Sequence, residues 1–191
     1  MKIKSIISVF ILSLLIMGFI VTLPVSRLMA EGTEESLLLT FEIPLSYSFS
    51  KASDGSALET EGIPAGLLVS LKFPTTGFGV GLNSYEVKTA QSTDSSIKTQ
   101  MVDIFYSMDA FTLNLAVGYG YGNSEITGDH ARSYDKSPSS RYYMRAGIPI
   151  STGTFLNLSI HFIRSKISLK DSDYQLEAGG TMAAIGTSIG F

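Results

Sequence analysis

From Leu37 to Phe49 the odd positions are Leu37, Leu39, Phe41, Ile43, Leu45, Tyr47 and Phe49, while the even ones include Thr40, Glu42, Pro44, Ser46 and Ser48. Alternation with a period of two sends successive side chains to opposite faces, so the stretch predicts a strand with one apolar face. The pattern recurs along the chain. Ile63, Ala65, Leu67, Val69, Leu71 and Phe73 alternate with Pro64, Gly66, Leu68, Ser70 and Lys72, and after a turn at Pro74 to Gly77 a third strand opens with Phe78, Val80 and Leu82. Its pattern is lost over Ser84 to Lys88. Val102, Ile104, Tyr106 and Met108 form the next apolar face, against Asp103, Phe105 and Ser107. The cleanest strand follows, with Phe111, Leu113, Leu115, Val117, Tyr119 and Tyr121 opposite Thr112, Asn114, Ala116, Gly118, Gly120 and Gly122. Tyr142 to Ile150 and Leu156 to Phe162 repeat the pattern, and Gly179 to Phe191 closes it with Phe191, Ile189, Thr187, Ile185 and Ala183 on one face.

The count is about eight strands, joined in strict alternation by short turns (Pro74 to Gly77, near Asp109, Ser151 to Thr154) and longer polar loops. The longest loop is expected at Asn123 to Ser140, and others at Ser50 to Glu61, Thr89 to Ser96 and Ser165 to Asp173. Such a rhythm predicts an all-β, closed, up-and-down antiparallel barrel. Two barrels share it: a membrane barrel with its apolar face outward, and a soluble lipocalin-like barrel with that face inward. Side-chain volume separates them, because an eight-stranded barrel has an interior just wide enough for side chains to fill. Here the apolar face is bulky and the other is rich in Gly, Ser, Ala, Thr and Asn. The small face belongs inside.

Aromatic residues cluster at two levels: Phe73, Phe78, Phe111 and Phe191 near the turns, and Tyr47, Phe49, Tyr119, Tyr121 and Tyr142 near the loops, as two interfacial girdles would. The final residues Gly186, Ile189 and Phe191 resemble the C-terminal insertion signal of bacterial outer-membrane barrels, although Ala184 stands where that signal usually has a polar residue. The mature chain as a whole resembles the small outer-membrane barrel family of the OmpX and OmpA-transmembrane-domain type. The resemblance implies a transmembrane β-barrel in the bacterial outer membrane, with its turns periplasmic and its longer loops outside. It implies outer-membrane lipid and lipopolysaccharide as surroundings, and barrel-assembly machinery as the partner of the last strand.

Residues Met1 to Ala30 read as a signal peptide: Lys2 and Lys4 precede an apolar run from Ile6 to Val21, with Pro24 and a cleavage position after Ala30. The run is somewhat long and Leu28 is larger than the residue expected three positions before the cut, so an uncleaved inner-membrane anchor stays open. The mature domain is then 31–191. With no cysteine in the chain, a lipoprotein signal is excluded and no disulfide is involved. Removing Lys2, Lys4 and Arg27 takes the 14 basic residues to 11 against 17 acidic, a net charge of −6 with no clustered positive face, which argues against nucleic-acid binding.

The charged or ionisable residues on the inward face are Glu42, Lys72, Asp103, Arg141, Arg145 and His161. Buried ions cost several kcal/mol each unless paired, so a narrow lumen should force them into a structural network, with Asp103 and Arg145 as an expected pair across Ala116 and Gly118. No metal spacing, phosphate loop or nucleophile elbow occurs, and no cofactor is indicated. His161 and His130 are the sole histidines, and the lipid A-modifying barrels use a histidine and a serine exposed to lipid; Ile163 stands two residues after His161, which is expected to face inward. The leading expectation is a non-enzymatic barrel with a structural and surface-interaction role through loops such as that containing Glu125, Asp129, His130, Arg132, Asp135 and Lys136. A narrow pore or conduit is the alternative, and lipid A modification the third.

Overall fold

The structure, a computed structural model, describes residues 37–51, 58–73, 76–90, 95–128 and 131–191; the expected leader at Met1 to Ala30 lies outside them. The alternating segments form β1 (Leu38–Phe49), β2 (Ala65–Lys72), β3 (Phe78–Lys88), β4 (Ser95–Ala110), β5 (Leu113–Gly128), β6 (Ser137–Ser151), β7 (Thr154–Ser168), β8 (Gln175–Glu177) and β9 (Gly180–Gly190). From β1 to β7 each strand pairs antiparallel with the next, and β9 pairs with both β7 and β1, so the sheet closes on itself. Glu177 of β8 stands opposite Lys166, and Gly180 of β9 opposite Ile163, in one continuous register. β8 and β9 are therefore two pieces of one wall strand, and the barrel has eight walls. Closure gives the backbone groups partners on both sides, which is the condition for a sheet to cross hydrocarbon.

The turns that set the lower end are tight. Ala110 pairs with Leu113 across Phe111 and Thr112, and Ser151 with Thr154, where Gly153 has a φ of +71° that a side chain would disfavour. At the other end the strands run further than the hydrophobic pattern predicts. The stretch Asn123 to Ser140, expected as the longest loop, is mostly strand: β5 continues to Gly128, β6 begins at Ser137, and a short 3-10 turn, Ala131–Ser133, lies in the connection. Likewise Ser84 to Lys88 stays paired within β3, and β7 extends to Ser168.

These extensions escaped the periodicity because the polarity of the two faces reverses along the barrel. In its lower part, outward positions are apolar and exposed, such as Leu82, Val102, Ile104, Ile160 and Phe162, and inward ones are polar or small. Above Leu82 on β3 the outward residues are Ser84, Glu86 and Lys88, while Tyr85 and Val87 are buried inside. On β5 the outward run Leu113 to Tyr121 gives way to Asn123, Glu125 and Thr127. On β4 it changes at Gln100, on β6 at Ser140 and on β7 at Arg164, all at one level. From Leu113 to Tyr121, at about 3.4 Å per residue and a tilt of about 40°, the apolar band is roughly 20 Å tall, near the ~25 Å of transmembrane barrels. Phe73, Phe78, Phe111 and Phe191 are exposed at its lower margin, and Tyr121 and Tyr142 at its upper one.

Tyr47 and Phe49 are a correction. Expected in the outer girdle, both are buried inside, at 7% and 8% exposure. The register of β1 against β9 slips between Pro44 and Ser46, so Leu45 is an extra residue and both Leu45 and Ser46 point outward. This β-bulge shifts the phase by one and turns every later side chain to the other face.

A charge placed in the band should cost far more than one above it. Ile104→Arg is expected to lower unfolding stability in lipid vesicles by about 2–4 kcal/mol and Ser84→Arg by about 0–1 kcal/mol; equal effects in denaturant titrations would contradict the assigned band.

Candidate functional site

The lumen concentrates the ionisable residues, and glycines make room for them. Asp103 on β4 and Arg141 on β6 stand directly opposite Gly120 of the intervening strand. A Cβ at Gly120 would overlap the Asp103 carboxylate, so only glycine lets the two side chains meet over β5. They form a buried ion pair, and Asn83 Nδ2 donates a further hydrogen bond to the same carboxylate. One row below, Gly79, Phe105, Gly118 and Tyr143 alternate around the barrel, and the Phe105 and Tyr143 rings lie over the two glycines.

The expected Asp103–Arg145 pair is therefore not formed. Arg145 crosses the lumen instead, with Nη1 at 3.5 Å from Glu42 Oε2 and donating to Ser70 Oγ at 2.9 Å, which ties β6 to β1 and β2. Its guanidinium lies 5.0 Å from the Phe105 ring centroid, and that of Arg141 5.1 Å from Tyr143. Both Arg residues thus have a carboxylate and an aromatic face, the combination that offsets desolvation of a guanidinium. His161 is fully buried, stacked on Tyr143 at 5.1 Å, with Nε2 at 2.8 Å from Ser159 Oγ. Lys72 does not join this network; it is half-buried at the lower end of β2, beside Leu38 and Gly79.

Above the ions the lumen fills with apolar side chains. Tyr47, Phe49, Tyr85, Val87, Met101 and Met182 belong to one buried cluster, with Tyr47 Oη donating to the Ala178 carbonyl at 2.9 Å. On the other side of the same level a ladder of hydroxyls, Thr99, Ser124, Ser139 and Ser165, links β4 to β7 with oxygen separations of 2.7 to 2.8 Å. Below the ions, Ser188 bridges Thr40 and Asn157 at 2.6 Å. The hydroxyl ladder and apolar plug were missed from the sequence. Their signal was there in the inward parity of Thr99, Met101, Ser124 and Ser139, but reading it requires knowing that those segments are strands.

Chemically this is a packed interior. The Ser159–His161 contact is a hydroxyl beside an imidazole, yet among the described residues His161 Nδ1 has no partner and no carboxylate orients the ring, as nucleophilic catalysis requires. Among the described residues no group of three His, Asp or Glu side chains is placed to hold a metal. Of the charged connection between β5 and β6, Asp129 and His130 lie outside the described residues, while Lys136 is 3.8 Å from Glu125.

No protein-family model matches the sequence, and no curated protein matches it. Solved structures do match in fold. Neisserial surface protein A aligns with a TM-score of 0.58 at 11% identity, over 84% of this chain and all of that one. The outer membrane protein W of E. coli gives 0.52 at 13% identity, over 84% of this chain and all of that one, and the N-terminal β-barrel domain of OprF from Pseudomonas aeruginosa 0.50 at 17%, over 83% and 98%. The chain has the fold of small eight-stranded outer-membrane β-barrels.

Removing one member of the Asp103–Arg141 pair strands a charge in the lumen. Arg141→Met should cost about 3–5 kcal/mol, and the double change Asp103→Leu with Arg141→Met should recover most of it. Denaturant unfolding in vesicles checks both; a single variant as stable as the parent would show that the pair does not hold the walls together.

Proposed function

We propose that the protein is an integral outer-membrane barrel with a structural and surface-interaction role, exercised by the part of the barrel above the membrane, without catalysis and without a conducting pore. The observation that carries this reading is the filling of the lumen at two successive levels, by the Glu42–Arg145 and Asp103–Arg141 pairs and then by the Tyr47–Tyr85–Met101–Met182 cluster. An ion path would have to cross both a charged and an apolar layer. The Ser159–His161 contact is enclosed at the level of the ion pairs, with Ser159 opposite Arg145, away from any lipid substrate.

What remains for recognition is outside. The upper ends of β3 to β7 present a polar outer wall, with Glu86, Lys98, Glu125 and Arg164 on it. This wall stands on a hydrophobic core of its own, so it offers a rigid surface. At the opposite end Ile189 and Phe191 are exposed beside the β1 edge, with the Phe191 amide donating to the Leu37 carbonyl at 3.0 Å. Together with Gly186 they form the assembly-recognition signal in this reading.

The absence of cysteine permits a direct test of topology. On intact cells a membrane-impermeant maleimide should label Lys136→Cys, and should label Thr152→Cys only after the outer membrane is permeabilised; the reverse order would overturn the arrangement. Refolded protein in planar bilayers should show no discrete conductance steps, and steps that persist in independent preparations would replace this reading with the pore.

A further inference from the structure

Three strands carry an ordered patch on the outer wall where the apolar band ends. Tyr119 of β5, Tyr142 of β6 and Phe162 of β7 stand in one cross-strand row; Tyr121, Ser140 and Arg164 form the row directly above. All face outward. The Tyr119 and Tyr142 rings are 5.1 Å apart, and the Arg164 guanidinium lies 5.9 Å from the Tyr142 ring centroid. Ser140, the smallest of its row, stands between Tyr121 and Arg164.

The charges around the patch are unevenly matched. Lys166 on β7 and, one row higher, Lys136 just before β6 stand above it, and both have a carboxylate: Lys166 is 4.0 Å from Glu177, and Lys136 is 3.8 Å from Glu125. Arg164 has none within ion-pair distance among the described residues. It is an exposed guanidinium resting on an aromatic platform, with a serine hydroxyl on the adjacent strand. Its planar fork of donors matches the oxygens of phosphate, and the ring beneath limits its freedom.

We propose that this patch binds the phosphate of an anionic lipid in the outer leaflet, with Arg164 as the charged ligand and Ser140 as a second donor. Depth selects the ligand. The patch lies on the outward wall, immediately above Phe162 and Tyr142, and the outward side chains below it, Ile160 and Met144, are exposed and apolar. An acyl chain lies against them while its headgroup reaches Arg164. A soluble anion would gain the guanidinium but not the hydrocarbon contact.

The test uses the mature barrel refolded into phosphatidylcholine nanodiscs doped with phosphorylated lipid A or with its dephosphorylated form. After transfer to mild detergent, native mass spectrometry counts the lipid retained. The parent protein should keep one phosphorylated lipid A per barrel, about tenfold more often than the dephosphorylated form, the order expected from a charge-assisted hydrogen bond. Arg164→Gln should fall to the dephosphorylated level while its unboiled band still migrates as a folded barrel, and Lys98→Gln, on β4 outside the patch, should retain lipid like the parent. Equal retention of the two lipid forms, unchanged retention in Arg164→Gln, or an equal loss in Lys98→Gln would each overturn the proposal.

Discussion

The cross-section of an eight-walled lumen is the constraint on which the other features depend. Its width is set by closure and strand tilt, so each level accommodates a limited volume of side chain. This barrel meets the limit by setting glycine beside bulk on neighbouring walls: Gly79, Phe105, Gly118 and Tyr143 in one row, Gly81, Asp103, Gly120 and Arg141 in the next. The glycines are thus not loose points in the sheet. They are the spaces into which the rings and the ion pair fit, and their placement determines which carboxylate each arginine meets.

A second consequence concerns the two environments along the barrel axis. In the lower part the wall faces hydrocarbon, so burial of apolar groups inside brings little gain, and ion pairs and hydrogen bonds occupy the interior. In the upper part the wall carries Glu86, Lys98 and Glu125, while Tyr85, Val87 and Ile97 are buried, the arrangement of a water-soluble barrel stabilised by the hydrophobic effect. One continuous set of strands serves both solvents by exchanging the chemistry of its faces between Leu82 and Ser84, Tyr121 and Asn123, Phe162 and Arg164. The plane of that exchange is also where the Arg164 patch sits.

How much of this the sequence disclosed follows from what alternation can report. The apolar band, the number of walls and the inward set around Asp103, Arg141 and His161 were legible because one face there is strongly apolar. The register of β4 against β5 was legible in principle too, since the two-residue turn at Phe111 and Thr112 forces Asp103 opposite Gly120. The offset between β5 and β6 was not, because the connection above Gly128 leaves it free, and so the choice between Arg141 and Arg145 as partner of Asp103 could not be made. The strands beyond Tyr121 and before Arg141 were hidden for another reason. With Gly122, Ser124, Ser137 and Ser139 inside and only Ile126 apolar among them, and with Asn123 and Glu125 outside, neither face stands out, although pairing continues unbroken.

Leu45 is the extra residue of β1. Because it rephases β1 between its two halves, the rule that assigns a residue to lipid or to the axis is even-for-axis below it and odd-for-axis above. That single insertion sends Tyr47 and Phe49 into the plug and turns Ser46 and Ser48 to the exterior, so on this wall the outward apolar run ends at Leu45. Deleting Leu45 would return Tyr47 and Phe49 to the exterior and leave the plug short of two of its rings.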